Sequence, residues 1–227
     1  ELSRLAAGHA GRLFIAIECH SCFDWLLPAI ERFREELPDV DLDLSSGFNF
    51  DALEALQRAD LDLVVTSDPG PVAGIVRLPL FTYEAVLVTG NEHPFAGRDH
   101  VDPGELADQT VITYPVDHGK LDLFSQFLDP AGVVPADERH AELTPLIVHL
   151  CAGGRGVACL PNWAVAEYRD RNQVSTCSLG EEGVWPVLYA AVREEDRERA
   201  YLEAFVRIAK ETCFARFTGI LPVVEES

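Results

Sequence analysis

The segment Cys19-His20-Ser21-Cys22 carries the densest set of reactive side chains in this sequence. A Cys-x-x-Cys spacing is half of a structural zinc site, and thiols at a helix start can be acidified and made redox-active. A complete zinc site needs four ligands, and no second Cys/His pair at short spacing follows. His140 and His149 would join only if folding brought them there. The expectation is therefore no metal and no cofactor, with these side chains lining a site. Ser21-Cys22-Phe23-Asp24 also fits the Ser-x-x-acid pattern that opens helices, its hydroxyl accepting from a first-turn amide. A helix start presents unpaired amides and a positive partial charge, which suits a carboxylate. A second polar group, Thr66-Ser67-Asp68, ends an apolar run and leads into Pro69-Gly70. Taken alone, Ser21 is as simply a cap and Thr66 as simply a turn residue.

Enzymatic chemistry finds no support. No Ser-His-Asp ordering, phosphate-binding loop or dinucleotide glycine motif follows a strand. Gly153-Gly154-Arg155-Gly156 comes after a helix and before a strand, the wrong order for a dinucleotide loop, and reads as a helix stop. Glu181-Glu182 and Glu194-Glu195-Asp196 read as solvated surface.

The elements that must position these groups come from a chain of 227 residues, room for one large domain or two lobes of about 100 residues each. Hydrophobic residues make up 48% and charged ones 25%, so a packed core is expected and disorder is not. The net charge of −20 repels phosphate backbones, so this piece is not expected to grip DNA by itself. Six cysteines scattered through apolar segments read as reduced, mostly buried cytoplasmic thiols. The longest apolar runs, such as Val184 to Val192, are too short to span a bilayer. Methionine is absent and the chain begins at Glu1, which suggests an excised fragment.

Gly11 to Ile17 reads as a strand. A helix follows, with Leu26, Ile30, Phe33 and Leu37 on one face. Pro28 suggests an irregular first turn or a start nearer Asp24. Val40 to Leu44 alternates as a strand, Asp51 to Leu56 is a second helix, and Leu61 to Val65 and Leu80 to Val88 are strands. This βαβαβ order implies a parallel doubly wound sheet. Gly90 to Gly104 reads as the connection between lobes. Then come the strand Val111 to Tyr114, a helix marked by Leu121, Phe124, Phe127 and Leu128 that ends at Gly132, and the helix Leu143 to Ala152. The strand Val157 to Leu160, a helix opened by Asn162, the strand Val184 to Val192 and a helix marked by Leu202, Phe205, Ile208 and Ala209 complete the chain. Residues after Phe217 read as frayed. Ligands of open α/β sheets bind beyond the carboxyl ends of strands, which directs attention to Tyr114-Pro115-Val116 and Pro161-Asn162.

Three segments resemble the effector-binding domains of LysR-type transcriptional regulators: Ala152-Gly153-Gly154-Arg155-Gly156-Val157-Ala158-Cys159-Leu160-Pro161, Leu61-Asp62-Leu63-Val64-Val65-Thr66, and Leu87-Val88-Thr89-Gly90-Asn91-Glu92-His93-Pro94. The similarity runs from about Leu13 to Phe214. Ala16-Ile17-Glu18-Cys19-His20-Ser21-Cys22, Leu63-Val64-Val65-Thr66-Ser67-Asp68 and Leu188-Tyr189-Ala190-Ala191-Val192-Arg193 are similar to the MetR subfamily, activators of methionine biosynthesis genes.

The resemblance implies two Rossmann-like α/β lobes joined by two crossover strands, periplasmic-binding-protein-like (type 2), with a ligand cleft between them. It implies a linker end at 1–10, a first lobe of 11–90 plus 194–217, a second lobe of 91–193 and a tail at 218–227. The effector would lie at Cys19, His20, Ser21 and Cys22 and at Thr66, Ser67 and Asp68, faced by Tyr114, Pro115, Val116, Glu142, Pro161 and Asn162. It would be a small amino acid, homocysteine first, whose ammonium needs an acceptor such as Asp68, Glu18 or Glu142. Implied partners are a second copy (a homodimer, a tetramer at full length), DNA through a domain N-terminal to Glu1, and RNA polymerase. No membrane partner is implied. Ile30, Phe33 and the strand Val40 to Leu44 would supply part of the dimer face. The competing reading is a solute-binding receptor of a transport system, which shares the two-lobed architecture.

Overall fold

A computed structural model describes residues 11–18, 21–45, 52–68 and 70–223. In chain order they form β1 (Gly11–Ile17), α1 (Phe23–Glu36), β2 (Val40–Ser45), α2 (Ala52–Gln57), β3 (Leu63–Thr66), β4 (Ile75–Tyr83), β5 (Ala85–Thr89), β6 (His100–Val101) and β7 (Thr110–Thr113). A π-helical turn, Leu123–Leu128, runs into α3 (Asp129–Ala131), followed by β8 (Asp137–His140), α4 (Thr144–Ala152), β9 (Ala158–Pro161), α5 (Asn162–Asp170) and β10 (Ser175–Leu179). The chain ends in β11 (Val187–Arg193), α6 (Ala200–Arg216) and β12 (Ile220–Leu221). They build two compact units, Glu1–Thr82 with Val187–Ser227, and Tyr83–Pro186.

The first unit holds a six-stranded sheet in the order β12-β4-β11-β3-β1-β2. Strands β1, β2 and β3 are parallel, as βα connections require, while β11 runs antiparallel to both β3 and β4. The expected face of α1 is buried at Leu26, Ile30 and Phe33, and Trp25 and Ala29 join it. Phe33 meets Phe205 of α6 edge-on at 5.8 Å between ring centroids. This corrects the expected dimer face: Ile30 (4% exposed) and Phe33 (0%) belong to the core, and the exposed apolar side of α1 is Phe23 (46%) and Leu27 (51%). The cap is also displaced by one residue. Cys22, not Ser21, is the N-cap; the helix starts at Phe23, beside Asp24, with Pro28 inside it.

The expected strand Leu80 to Val88 is two strands in two sheets. β4 pairs with β11, β5 pairs with β9 and β10, and the chain turns from one sheet to the other at Glu84. The buried residues on both sides of Thr82 and Glu84 read as one continuous strand, because both halves are buried. The chain therefore leaves the first unit after Thr82, and residues 90–104 lie inside the second unit. Nor do residues after Phe217 simply fray: Ile220 and Leu221 add a strand beside β4.

The second unit contains a four-stranded sheet, β6-β10-β5-β9, and the parallel pair β7-β8. Successive residues of β5 feed opposite sides of the sheet. Ala85 and Leu87 pack with Phe124, Leu128 and Leu179, whereas Val86 and Val88 pack with Ile147, Val148 and Leu160. After α4 the chain turns through Gly154, whose φ of +65° is left-handed. At Gly156 (φ +152°) an added Cβ would lie 2.5 Å from the Thr110 carbonyl oxygen. These glycines form a helix stop joined to a close strand approach.

Candidate functional site

In the first unit the ends of β1 and β3 are tied together where the polar residues cluster. The Glu18 amide donates to the Val65 carbonyl (3.0 Å), and the Thr66 hydroxyl donates to Glu18 Oε2 (2.5 Å). The same hydroxyl accepts the Asp68 amide at 3.0 Å. Asp68 Oδ1 in turn accepts the Gly70 amide (2.7 Å), and its carbonyl accepts from Arg77 Nε (2.9 Å). Thr66 is buried (1% exposed), Ser21 nearly so (8%), and Ser67 and Asp68 are half-buried. Cys22, fully buried, begins α1 with no side-chain capping bond of its own. The result is a polar rim at the carboxyl ends of β1 and β3, beside the amino end of a 14-residue helix. Such a rim offers amide and hydroxyl donors to a carboxylate. Cys19 and His20 lie outside the described residues.

In the second unit the predicted residues form two groups. The Tyr114 and Thr144 hydroxyls are 2.7 Å apart, and Thr113 Oγ1 lies 3.1 Å from His140 Nδ1. Pro115 and Glu142 are exposed, Val116 is half-buried, and the Val116 amide donates to the Tyr114 carbonyl (2.9 Å). Pro161 and Asn162 sit at the β9–α5 junction, where the Asn162 amide donates to the Glu84 carbonyl (2.9 Å). Pro161, not Asn162, is the N-cap of α5; the Asn162 side chain accepts the Trp163 amide at 2.9 Å.

Two polar residues escaped the sequence reading. Arg77 holds the Asp68 turn from β4, a strand that was not extended far enough toward its start. Asp122 precedes the π-helical turn, with its carboxylate accepting from the Tyr83 hydroxyl (3.1 Å) and Gln126 Nε2 (2.8 Å). Burial pushes its pKa up, against the opposing pull of those two hydrogen bonds. In the sequence it looks like any polar residue at a helix start.

Among the described cysteines, Cys151, Cys159, Cys177 and Cys213 are free thiols. Burial pushes Cys151 up to about 12 and Cys177 to about 11, and raises Cys159 and Cys213 as well. Among the described residues no group of three or more His, Cys, Asp or Glu side chains could hold a metal ion. No helix formed by them is long and apolar enough to cross a membrane.

Two α/β units, the second inserted between two crossings of the first, define a periplasmic-binding-protein-like domain of type 2. The model of the LysR substrate binding domain matches residues 6–214, and the chain belongs to that family. It is 44% identical over 199 residues to the HTH-type transcriptional regulator MetR of Escherichia coli (strain K12), covering 88% of this chain and 62% of the relative. Identity to the MetR of Haemophilus influenzae is 37% over 220 residues, covering 97% of this chain and 71% of that protein. Among solved structures, the regulatory domain of MetR, a LysR family regulator from N. meningitidis, superposes with a TM-score of 0.86. That domain is 39% identical, over 94% of this chain and 99% of its own. The chain thus spans less than two thirds of the length of its E. coli relative.

Proposed function

We propose that this chain is the effector-sensing part of a LysR-type transcriptional regulator of methionine biosynthesis genes, and that it binds a small amino acid, homocysteine first. The observation that carries the reading is the rim of Ser21, Cys22, Thr66, Ser67 and Asp68 at the strand ends beside the start of α1. It suits the carboxylate of an amino acid. Relatives named as MetR regulators supply the pathway. On this reading the chain is not an enzyme and works in the cytoplasm. DNA is reached through a further domain of the helix-turn-helix type that the relatives' names record. The family match also favours a regulator over a transport receptor.

The chain self-associates as a homodimer, and the exposed Phe23, Leu27 and Leu44 form part of its face. Ligand binding favours one conformation only by its differential affinity for that state. A solved variant of the Neisseria domain carries serine in place of two cysteines three positions apart, the spacing of Cys19 and Cys22. The assay therefore includes reductant and chelator.

The test is thermal unfolding with L-homocysteine, methionine, cysteine and homoserine. Ligand at 100 times its dissociation constant adds about 2.7 kcal/mol, a shift of several degrees. A shift with homocysteine is expected. No shift with any of the four withdraws the methionine-pathway assignment.

A further inference from the structure

We propose that the groove between α6 and β4 is a second self-association face, filled by the α6 of another copy of this chain in an antiparallel two-fold contact. The groove lies wholly within the first unit and holds about 940 Å³. Its floor is aliphatic: Val76, Leu78 and Pro79 of β4 and Val206 of α6, each half-buried. Beyond β4 the sheet continues only through the two-residue β12. α6 turns Leu202, Phe205, Ile208 and Ala209 to the core and meets α1 through Phe205, and the groove runs along its other side, over β4.

The occupant follows from charge. With a net charge of −20, two copies repel each other unless they meet where charge balances locally. The groove is such a place, lined by Arg197, Arg207 and Lys210 against Glu198, Glu203 and Glu211. Four of these six are paired already, Arg197 with Glu198 (3.6 Å) and Arg207 with Glu211 (3.2 Å). Glu203 and Lys210 pair with no opposite charge among the described residues. They stand two helical turns apart on one face, about 10 Å, too far to meet each other. Glu203 comes three residues before Val206, and Lys210 three after Arg207. An antiparallel crossing at Val206 and Arg207 therefore sets Glu203 opposite Lys210 of the partner subunit, and the two-fold axis repeats that pair. The same stripe ends at Phe214, 41% exposed, which then faces Arg199 of the partner subunit, a guanidinium suited to an aromatic ring. Arg207, at the crossing itself, is neutralised within its own chain by Glu36 (2.5 Å) and Glu211, so it meets its symmetry copy without net repulsion.

Sedimentation velocity across the micromolar range is the test. Wild type is expected to associate in two separable steps, one through the α1 face and one through α6. Glu203→Lys and Lys210→Glu each turn two attractive pairs into two repulsive ones, so each should weaken the α6 step at least about tenfold. Neither position is buried, and both variants should melt within about 2 °C of wild type. An equimolar mixture of the two should recover the step, because each supplies the charge the other has lost. Leu27→Glu should weaken only the other step, so a failure of the α1 face leaves the α6 step readable. Raising the salt concentration should weaken the α6 step in wild type. Single variants that associate as tightly as wild type overturn the proposal, as does a mixture that associates no better than its components. Association abolished entirely by Leu27→Glu overturns it too, and that measurement decides alone if a charge-swapped variant does not fold.

Discussion

Replacing Thr66 by valine keeps the shape of the side chain and removes one oxygen, so its cost measures the bonds that oxygen makes. The hydroxyl donates to a carboxylate oxygen of Glu18 at 2.5 Å and accepts the Asp68 amide at 3.0 Å, at a position 1% exposed. A hydrogen bond to a charged group is worth about 1.5–3 kcal/mol and a neutral one about 1 kcal/mol. Valine removes both bonds, so the loss is roughly 2–4 kcal/mol, and no cavity term is added because the volumes match. At about 2–4 °C per kcal/mol for a chain of this size, the melting temperature falls by roughly 5–15 °C. Thr66→Ser, which keeps the hydroxyl, should recover most of the loss; Glu18→Gln, which keeps an acceptor but drops its charge, should fall between. Thermal and urea unfolding of the three variants provide the measurement. A Thr66→Val protein that melts within about 2 °C of wild type would refute the reasoning, because the hydroxyl would then not be holding the turn. The consequence for function is practical: weaker effector binding by Thr66→Val alone says little, and the serine variant is the control that separates contact from scaffold.

Arg193→Met should be the most damaging single change in the first unit. Its guanidinium pairs with Asp196 (2.5 Å) and Asp62 (3.0 Å) and donates to the Leu56 and Leu61 carbonyls; its loss leaves the buried Asp196 carboxylate with Arg199 alone (2.6 Å) and unpairs the two carbonyls, at about 3 kcal/mol by urea unfolding. Adding Asp196→Asn should return part of that loss. Leu27→Glu, placed on the exposed side of α1, should weaken the homodimer at least tenfold in sedimentation velocity while leaving the melting temperature within about 2 °C. Cys151 gives a pH prediction with a fixed sign: its pKa rises on folding from 9.0 to about 12, so its stability contribution is intact below pH 9 and is lost as pH climbs toward 12. Cys151→Ala should flatten that alkaline slope, and the native thiol should resist iodoacetamide at pH 8 until urea is added.

What the sequence made legible follows from which signals are local. The α1 face of Leu26, Ile30 and Phe33 has the right period, and the polar stop at Thr66-Ser67-Asp68 has the right composition, so both could be read directly. The crossing between β4 and β5 could not, since a single Thr82 and Glu84 within Leu80 to Val88 also fit the half-buried positions of one strand, and only pairing partners divide it at Glu84. β10 (Ser175–Leu179) escaped for the opposite reason: Ser-Thr-Cys-Ser is too polar to look like a strand, yet Cys177 and Leu179 enter a core shared with Leu87 and Val101. In the site, Ser21 was assigned a cap that falls on Cys22, an error of one residue, which is where capping patterns are weakest. Asp122 left no sequence trace because its meaning depends on Tyr83 and Gln126 and on the burial around it, none of which a spacing encodes.

The two ends of an amino acid and its side chain are recognised on different energy scales, and this decides what such a sensor can distinguish. A site built to pair a carboxylate or an ammonium leaves its own buried groups unpaired when the ligand lacks them, which rejects the analogue by about 10⁴–10⁵-fold. One methyl or methylene in an apolar pocket changes affinity by about 1–3 kcal/mol. On the proposed reading, the Thr66 rim therefore selects a carboxylate ligand far more strongly than any lining chooses among homocysteine, methionine and cysteine. Fine discrimination must come from something other than volume. The neutral, raised thiols described above make poor partners for that purpose, because a buried thiol is a weak donor and a weak acceptor. On the proposed reading, selectivity within the class falls to Cys19 and Cys22: a protein thiolate can attack the disulfide of homocystine, the ligand's oxidised form, to make a mixed disulfide and release homocysteine thiolate, whereas a thioether forms no disulfide. Methionine should accordingly bind with the same affinity in reductant and oxidant, and homocysteine should not.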